Sequence, residues 1–212
     1  MTEFDYLDLC LEKWAAFPVT ELTRNQQIVV DVKQQMHEII DVMPYDADWP
    51  RAFRIERDRI AAALGTLALR IEHNGSTSIP GLAAKPIIDI QISVKRLHPI
   101  LAYAPGLAQL DYVHVPHADD AFCPFFHRPD AWPHTHHVHV VEARGGEERR
   151  TLAFRDYLRE HSDEAREYED LKRRLAPQYC ATDLSSRQRY AEAKTEFITR
   201  VIERAFAAGY PL

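Results

Sequence analysis

The sequence predicts an α/β (α+β) fold: a small mixed β-sheet flanked by helices and preceded by an N-terminal helical extension. Three observations carry this. Residues 87–94, Ile-Ile-Asp-Ile-Gln-Ile-Ser-Val, are apolar on nearly every position of one face, as in a central strand covered by helices. Residues 136–142 form a second, β-branched alternating run. From residue 147 onward the apolar spacing is helical instead.

In chain order, Phe4, Leu7, Leu11 and Trp14 recur at helical spacing until Pro18, and Ile28, Val29, Val32, Met36 and Ile39 make a second stripe. Residues 1–42 therefore read as a two-helix extension, and residues 43–212 as the main domain. The stripes suit packing on that domain or pairing in a homodimer. Pro44 to Pro50 is a turn-rich junction in which Asp48 stands where a helix cap belongs. The helix after it should bury Trp49, Phe53, Ile60 and Leu64 and stop at Gly65. Leu67 to His73 follows as the first strand, then a Gly-Ser loop and the 87–94 strand. His98 to Gln109 reads as a helix disturbed at Pro105-Gly106, and Tyr112 to Val115 as a short strand. Phe122, Phe125 and Phe126 suit an edge strand or a pocket wall. The 136–142 strand ends at Arg144-Gly145-Gly146. Three helices should close the chain: Glu147 to Glu160; a second capped by Ser162, with Asp163 and Glu164 in its first turn, running to Leu175; and one from Ser185 to Ala208 burying Tyr190, Phe197, Val201 and Ala205.

Composition bounds the function. In 212 residues, 46% are hydrophobic and 27% charged, which is ordinary for a soluble globular protein. A net charge of -6 argues against a general nucleic-acid surface, though a few placed donors could still hold a small anion. Cys10, Cys123 and Cys180 are too scattered for a disulfide framework. With no signal-peptide pattern and no apolar run long enough to span a bilayer, the expectation is a cytoplasmic protein without membrane partners.

Candidate chemistry concentrates in residues 71–92. Gly75 and Ser76 make a turn that lets backbone approach a ligand closely, and the amides and hydroxyls of Ser76, Thr77 and Ser78 suit phosphate oxygens. Lys85 supplies a point charge for the same group. Asp89 and Gln91, two apart on a strand, project from one face, as do His137 and His139. If the two strands are neighbours, these four side chains share a surface, and His73 could reach its rim. Asp89 with the two histidines would then be a metal or acid–base site; the structural alternative is a buried Asp89 bonded to the loop. Glu142 falls on the opposite face by alternation. His134 and His136 read as solvated, and Arg128, Thr135 and Arg155 as candidate polar contacts.

The run His73-Asn74-Gly75-Ser76-Thr77-Ser78-Ile79-Pro80-Gly81-Leu82-Ala83-Ala84-Lys85-Pro86-Ile87-Ile88-Asp89-Ile90 resembles the GrpB family. So do Tyr45-Asp46-Ala47-Asp48-Trp49-Pro50, His136-His137-Val138-His139-Val140-Val141-Glu142 and Leu152-Ala153-Phe154-Arg155-Asp156-Tyr157-Leu158-Arg159. The resemblance implies a nucleotidyltransferase-like fold and a phosphorylated small-molecule ligand, a nucleotide first, with nucleotidyl transfer as the accompanying activity. It implies a divalent ion at Asp89, magnesium or manganese ahead of zinc or nickel. In that superfamily two acids separated by one residue follow the Gly-Ser loop, and here Gln91 stands in the second place. Acidic Ala118-Asp119-Asp120-Ala121 likewise replaces an expected basic segment. A non-catalytic binding or scaffold protein, and a metal-dependent hydrolase built on Asp89, His137 and His139, therefore stay open beside the transferase.

Overall fold

Five strands form one sheet in a computed structural model that describes residues 40–211; the two helices expected before Ile40 lie outside the described residues. The strands are β1 (Arg70–Asn74), β2 (Ile88–Val94), β3 (Val113–Val115), β4 (Phe125–Arg128) and β5 (His136–Glu142), in the order β1-β2-β5-β4-β3. Only the β2–β5 pair is parallel. This is the small mixed sheet flanked by helices that the sequence implies. Phe125 and Phe126 lie on an inner strand rather than an edge, because β3 pairs outside β4.

Helix α1 (Trp49–Leu64) covers one face. Its buried positions Trp49, Phe53, Glu56, Ile60 and Leu64 recur every three or four residues, and the four apolar ones share a core with Ile88, Ile90, Ile92, Val138 and Val140. Asp48 occupies the cap position without a side-chain cap, and its carbonyl accepts from Arg51 and Ala52. The disturbed helix shrinks to a 3₁₀ turn at Ile100–Ala102 and α2 (Ala104–Ala108), with Pro105 in its opening positions, where a missing N–H costs nothing.

Four helices follow β5: α3 (Gly146–Glu160), α4 (Ser162–Leu175), α5 (Leu184–Glu192) and α6 (Thr195–Ala207). They enclose a second core of Ile79, Leu82, Ala153, Leu158, Tyr168, Phe197, Val201 and Ala205. Ser162 is the first residue of α4, and His161 takes the cap position instead. The expected single closing helix is two, broken at Ala193–Lys194, and Asp183 caps α5 by accepting from the Ser186 N–H at 2.8 Å. The main body also begins earlier than residue 43: Ile40 is buried with Ala176, Ala181 and Tyr190, and Met43 bridges to Ala84. Among the described residues, no helix is long and apolar enough to cross a membrane.

Candidate functional site

The parallel register of β2 and β5 sets Asp89 beside His137 and Gln91 beside His139. Pleating then turns all four side chains to the face away from α1. On β4, Phe125 pairs with His139 and His127 with His137, so they join the same surface. Asp89 Oδ1 lies 3.4 Å from His137 Nδ1 and 3.8 Å from His139 Nε2. Phe125 wedges against both imidazoles, its ring centre 5.0 Å from His137 and 5.1 Å from His139.

Electrostatics bind the three together. Burial alone would raise the Asp89 pKa, but the imidazoles of His137 and His139 beside it outweigh that and hold the carboxyl well below its usual range. Burial pushes His137 down and keeps it neutral. For His139 the same burial is overcome by Asp89 and by Cys123, whose Sγ is 3.8 Å from Nδ1, and the pKa rises to about 10. The result is one charged carboxylate between imidazoles of opposite tendency, an arrangement suited to acid–base work or to a cation.

Gly75 is fixed by that carboxylate. Its backbone sits at φ 65°, and a Cβ there would lie 2.2 Å from Asp89 Oδ2. Only glycine allows the turn to close over Asp89. Ser76 is half-buried beside Tyr168. Thr77 and Ser78 do not face a ligand as expected. The Thr77 hydroxyl donates to the Ile87 carbonyl at 3.3 Å, and that of Ser78 to the Gly75 carbonyl at 2.6 Å. Arg159 on α3 secures the turn from behind, donating twice to the Ser78 carbonyl at 3.0 and 2.9 Å. Arg155 donates to Glu72 at 2.8 Å and to the His73 carbonyl at 3.0 Å, so it too braces the turn rather than entering the site.

Two further expectations are corrected. His73 lies on the α1 face, stacked on Phe53 with ring centres 4.7 Å apart, so the thickness of the sheet separates it from the Asp89 surface. Gln91 shares the Asp89 face yet is 0% exposed, because α3 covers it, while 28% of the Asp89 side chain remains open. Its Oε1 accepts from Asn74 Nδ2 at 3.2 Å and from the Thr151 hydroxyl. A paired-acid magnesium site is therefore not built here: one carboxylate is present, and its expected companion is a buried amide whose oxygen is committed to Asn74 and Thr151.

Several site residues lacked a sequence signal. Lys194, at the α5–α6 break, holds Nζ 4.1 Å from the Tyr190 ring centre, and Lys85 lies 5.5 Å from the same ring. Burial lowers both ammonium pKa values, Lys194 to about 7, although Asp89 acts on each to raise them. Lys172 donates to the Ala83 carbonyl, sits over Tyr168 at 4.8 Å, and is lowered by burial to about 7. Lys85, expected from the sequence, thus belongs to a lysine group it could not have announced. His134 and His136, expected to be solvated, are not. His134 Nδ1 is 3.1 Å from His137 Nε2, its ring stacks on His127 at 3.8 Å, and burial lowers its pKa to about 3. His136 meets Arg128, which pairs with Glu56 at 3.1 Å on the α1 face. Arg128 therefore stands away from the site, and Thr135 bonds its carbonyl. Glu142 is exposed at the far end of β5.

Comparison with known proteins agrees with this layout. The family described as GrpB protein matches residues 39–204. A UPF0157 protein of Pseudomonas aeruginosa is 40% identical over 172 residues, covering 80% of this chain and 69% of that relative. A UPF0157 protein of Halalkalibacterium halodurans is 36% identical over 183 residues, covering 86% and 90%. The crystal structure of conserved protein GrpB from Enterococcus faecalis superposes with a TM-score of 0.69 at 30% identity, covering 79% of this chain and 98% of that one. On the sequence match and the shared fold together, this chain belongs to the GrpB family.

Proposed function

We propose that the chain binds a nucleotide or another phosphorylated small molecule at the open end of β2 and β5 and transfers a group at its phosphate, with a divalent ion at Asp89. One observation carries the reading. A charged carboxylate flanked by two imidazoles lies against Gly75, and two half-buried lysines that share the Tyr190 ring, Lys85 and Lys194, feel that carboxylate electrostatically. Lysines held in a protein interior below their ordinary pKa gain most from a dianion that restores their charge. The carboxylate and imidazoles occupy the place where the reacting atom would sit.

Thermal unfolding of metal-stripped protein tests this against nucleotides, sugar phosphates, pyrophosphate and their unphosphorylated counterparts, each with and without divalent ions. A ligand at a hundredfold excess over its Kd adds about 2.7 kcal/mol to stability. Stabilisation is expected from phosphorylated compounds alone, and its loss from a Lys85→Ala/Lys194→Ala double variant. A panel in which no phosphorylated compound stabilises the protein would sink the reading. Turnover then separates two acceptors. Group transfer to a hydroxyl makes a transferase, and transfer to water makes the hydrolase that the Asp–His–His geometry also accommodates.

A further inference from the structure

Asp89, His137 and His139 each offer one donor atom within 4.8 Å of the other two. The separations from Asp89 Oδ1, 3.4 Å to His137 Nδ1 and 3.8 Å to His139 Nε2, carry geometric information. Around a tetrahedral ion with bonds of about 2.05 Å, neighbouring donors sit about 3.3 Å apart. Around octahedral magnesium with similar bonds they sit about 2.9 Å apart. Both separations from Asp89 are nearer the tetrahedral spacing than the octahedral one. Donor chemistry agrees, since magnesium takes oxygen ligands whereas imidazole suits zinc, nickel and iron.

The residues behind the donors agree as well. Imidazoles that bind a metal almost always engage their far nitrogen, which fixes the tautomer and the ring plane. His137 turns its far nitrogen to His134 Nδ1 at 3.1 Å, and His134 is itself held by stacking on His127. His139 turns its far nitrogen to Cys123 Sγ at 3.8 Å. Asp89, closed over by Gly75, has little freedom to move. Three protein donors with open solvent on one side, 34% of the His139 side chain being exposed, would leave a bound ion accessible to a further ligand.

We infer that Asp89, His137 and His139 hold a zinc-class transition ion in place of the magnesium expected of the fold, with His134 and Cys123 as the positioning residues behind the two imidazoles. The inference deepens the function proposed above, in which the open position would receive a phosphoryl oxygen.

Calorimetric titration of tag-free, chelator-stripped protein with zinc, cobalt(II) or magnesium tests it, with the visible spectrum of the cobalt form as a second readout. One zinc or cobalt per chain is expected, with cobalt bands of low coordination number and no sulfur charge-transfer band, because Cys123 lies behind His139. Magnesium should bind more weakly than zinc by orders of magnitude. Asp89→Asn and a His137→Ala/His139→Ala double variant should abolish uptake. His134→Ala and Cys123→Ala should each weaken zinc binding about 10- to 100-fold while one ion still binds per chain, and Cys123→Ser should recover much of the loss. Circular dichroism of each metal-free variant verifies the fold. Folded wild-type protein that takes up neither zinc nor cobalt, uptake that survives the double histidine variant, or magnesium preferred over zinc would each overturn the inference. Zinc bound through these residues with no phosphorylated compound bound leaves this inference standing and removes the function above. Phosphate bound through Lys85 and Lys194 with no zinc does the reverse.

Discussion

Gly75 shows how one residue can decide a site. Its φ of 65° with ψ of -173° lies in a region that only glycine enters freely, and its missing side chain is the space that Asp89 Oδ2 occupies. Gly75→Ala should cost about 2–4 kcal/mol from backbone strain and overpacking together, read as a lower Tm, and should displace Asp89 enough to remove ligand binding. Gln91 yields the opposite kind of prediction. Restoring the absent acid with Gln91→Glu would place a second carboxylate in a buried position, beside Asp89 and under α3. The change should destabilise the protein by about 2–4 kcal/mol at pH 7, with no gain in magnesium affinity, and lower pH should recover part of the loss as the new carboxyl protonates. A titration with magnesium alongside thermal melts checks both halves. Alternation made it legible that Asp89 and Gln91 share a face of one strand and His137 and His139 a face of another, and the pairing of β2 with β5 joins the two. Alternation could not show where on that face a helix would lie, and this separates an open Asp89 from a sealed Gln91.

Elements arrange what residues cannot. Helix α3 does two jobs through neighbouring turns: Thr151 seals Gln91, while Arg155 and Arg159 hold the His73 carbonyl before the Gly75–Ser78 turn and the Ser78 carbonyl at its end. Arg159→Ala removes two donors from the Ser78 carbonyl. Hydrogen exchange across residues 75–79 should quicken while α3 stays protected, with a stability loss of about 1–3 kcal/mol. Uniform acceleration along α3 would instead mean that Arg159 holds the helix rather than the turn. The break between α5 and α6 was illegible because neither glycine nor proline marks it, and the apolar stripe runs through unchanged from Tyr190 to Ala205. With the break hidden, nothing in the sequence set Lys194 apart. The strand β5 and the helix α1 were legible because their periods of two and of three to four residues follow burial, and β2 because its apolar run fits a strand covered on both faces. His134, before β5, was misread for the converse reason: an irregular segment has no period from which to infer that it folds back on His127 and His137.

At the scale of the whole molecule, an acidic chain with net charge -6 keeps a local cluster of lysines below their ordinary pKa. Lys194 and Lys172 have folded values of about 7 against an ordinary 10.5, so between those limits the unfolded chain holds more protons than the folded one. His139, raised to about 10, runs the other way, but two lysines outweigh one imidazole, so stability of the ligand-free protein should rise as pH climbs from about 7 toward 10, and denaturant titrations across that range measure the slope. A bound phosphate would return the proton to Lys194. Binding at pH 8 should then take up protons, visible as a calorimetric enthalpy that varies with the buffer, and affinity should fall by up to about tenfold per pH unit above neutrality. Lys194→Arg, charged throughout, should flatten that profile. The parallel join of β2 to β5 has a consequence in time as well as in space. Asp89 and His137 become neighbours only after the long intervening segment, with β3 and β4 inside it, has been closed into place. Local structure forms early and such distant pairings late, because the entropy of closing a long loop comes before the contacts that reward it. A half-folded chain thus has the turn, the carboxylate and the histidines but no place where they meet, and acquisition of the site marks the last stage of folding.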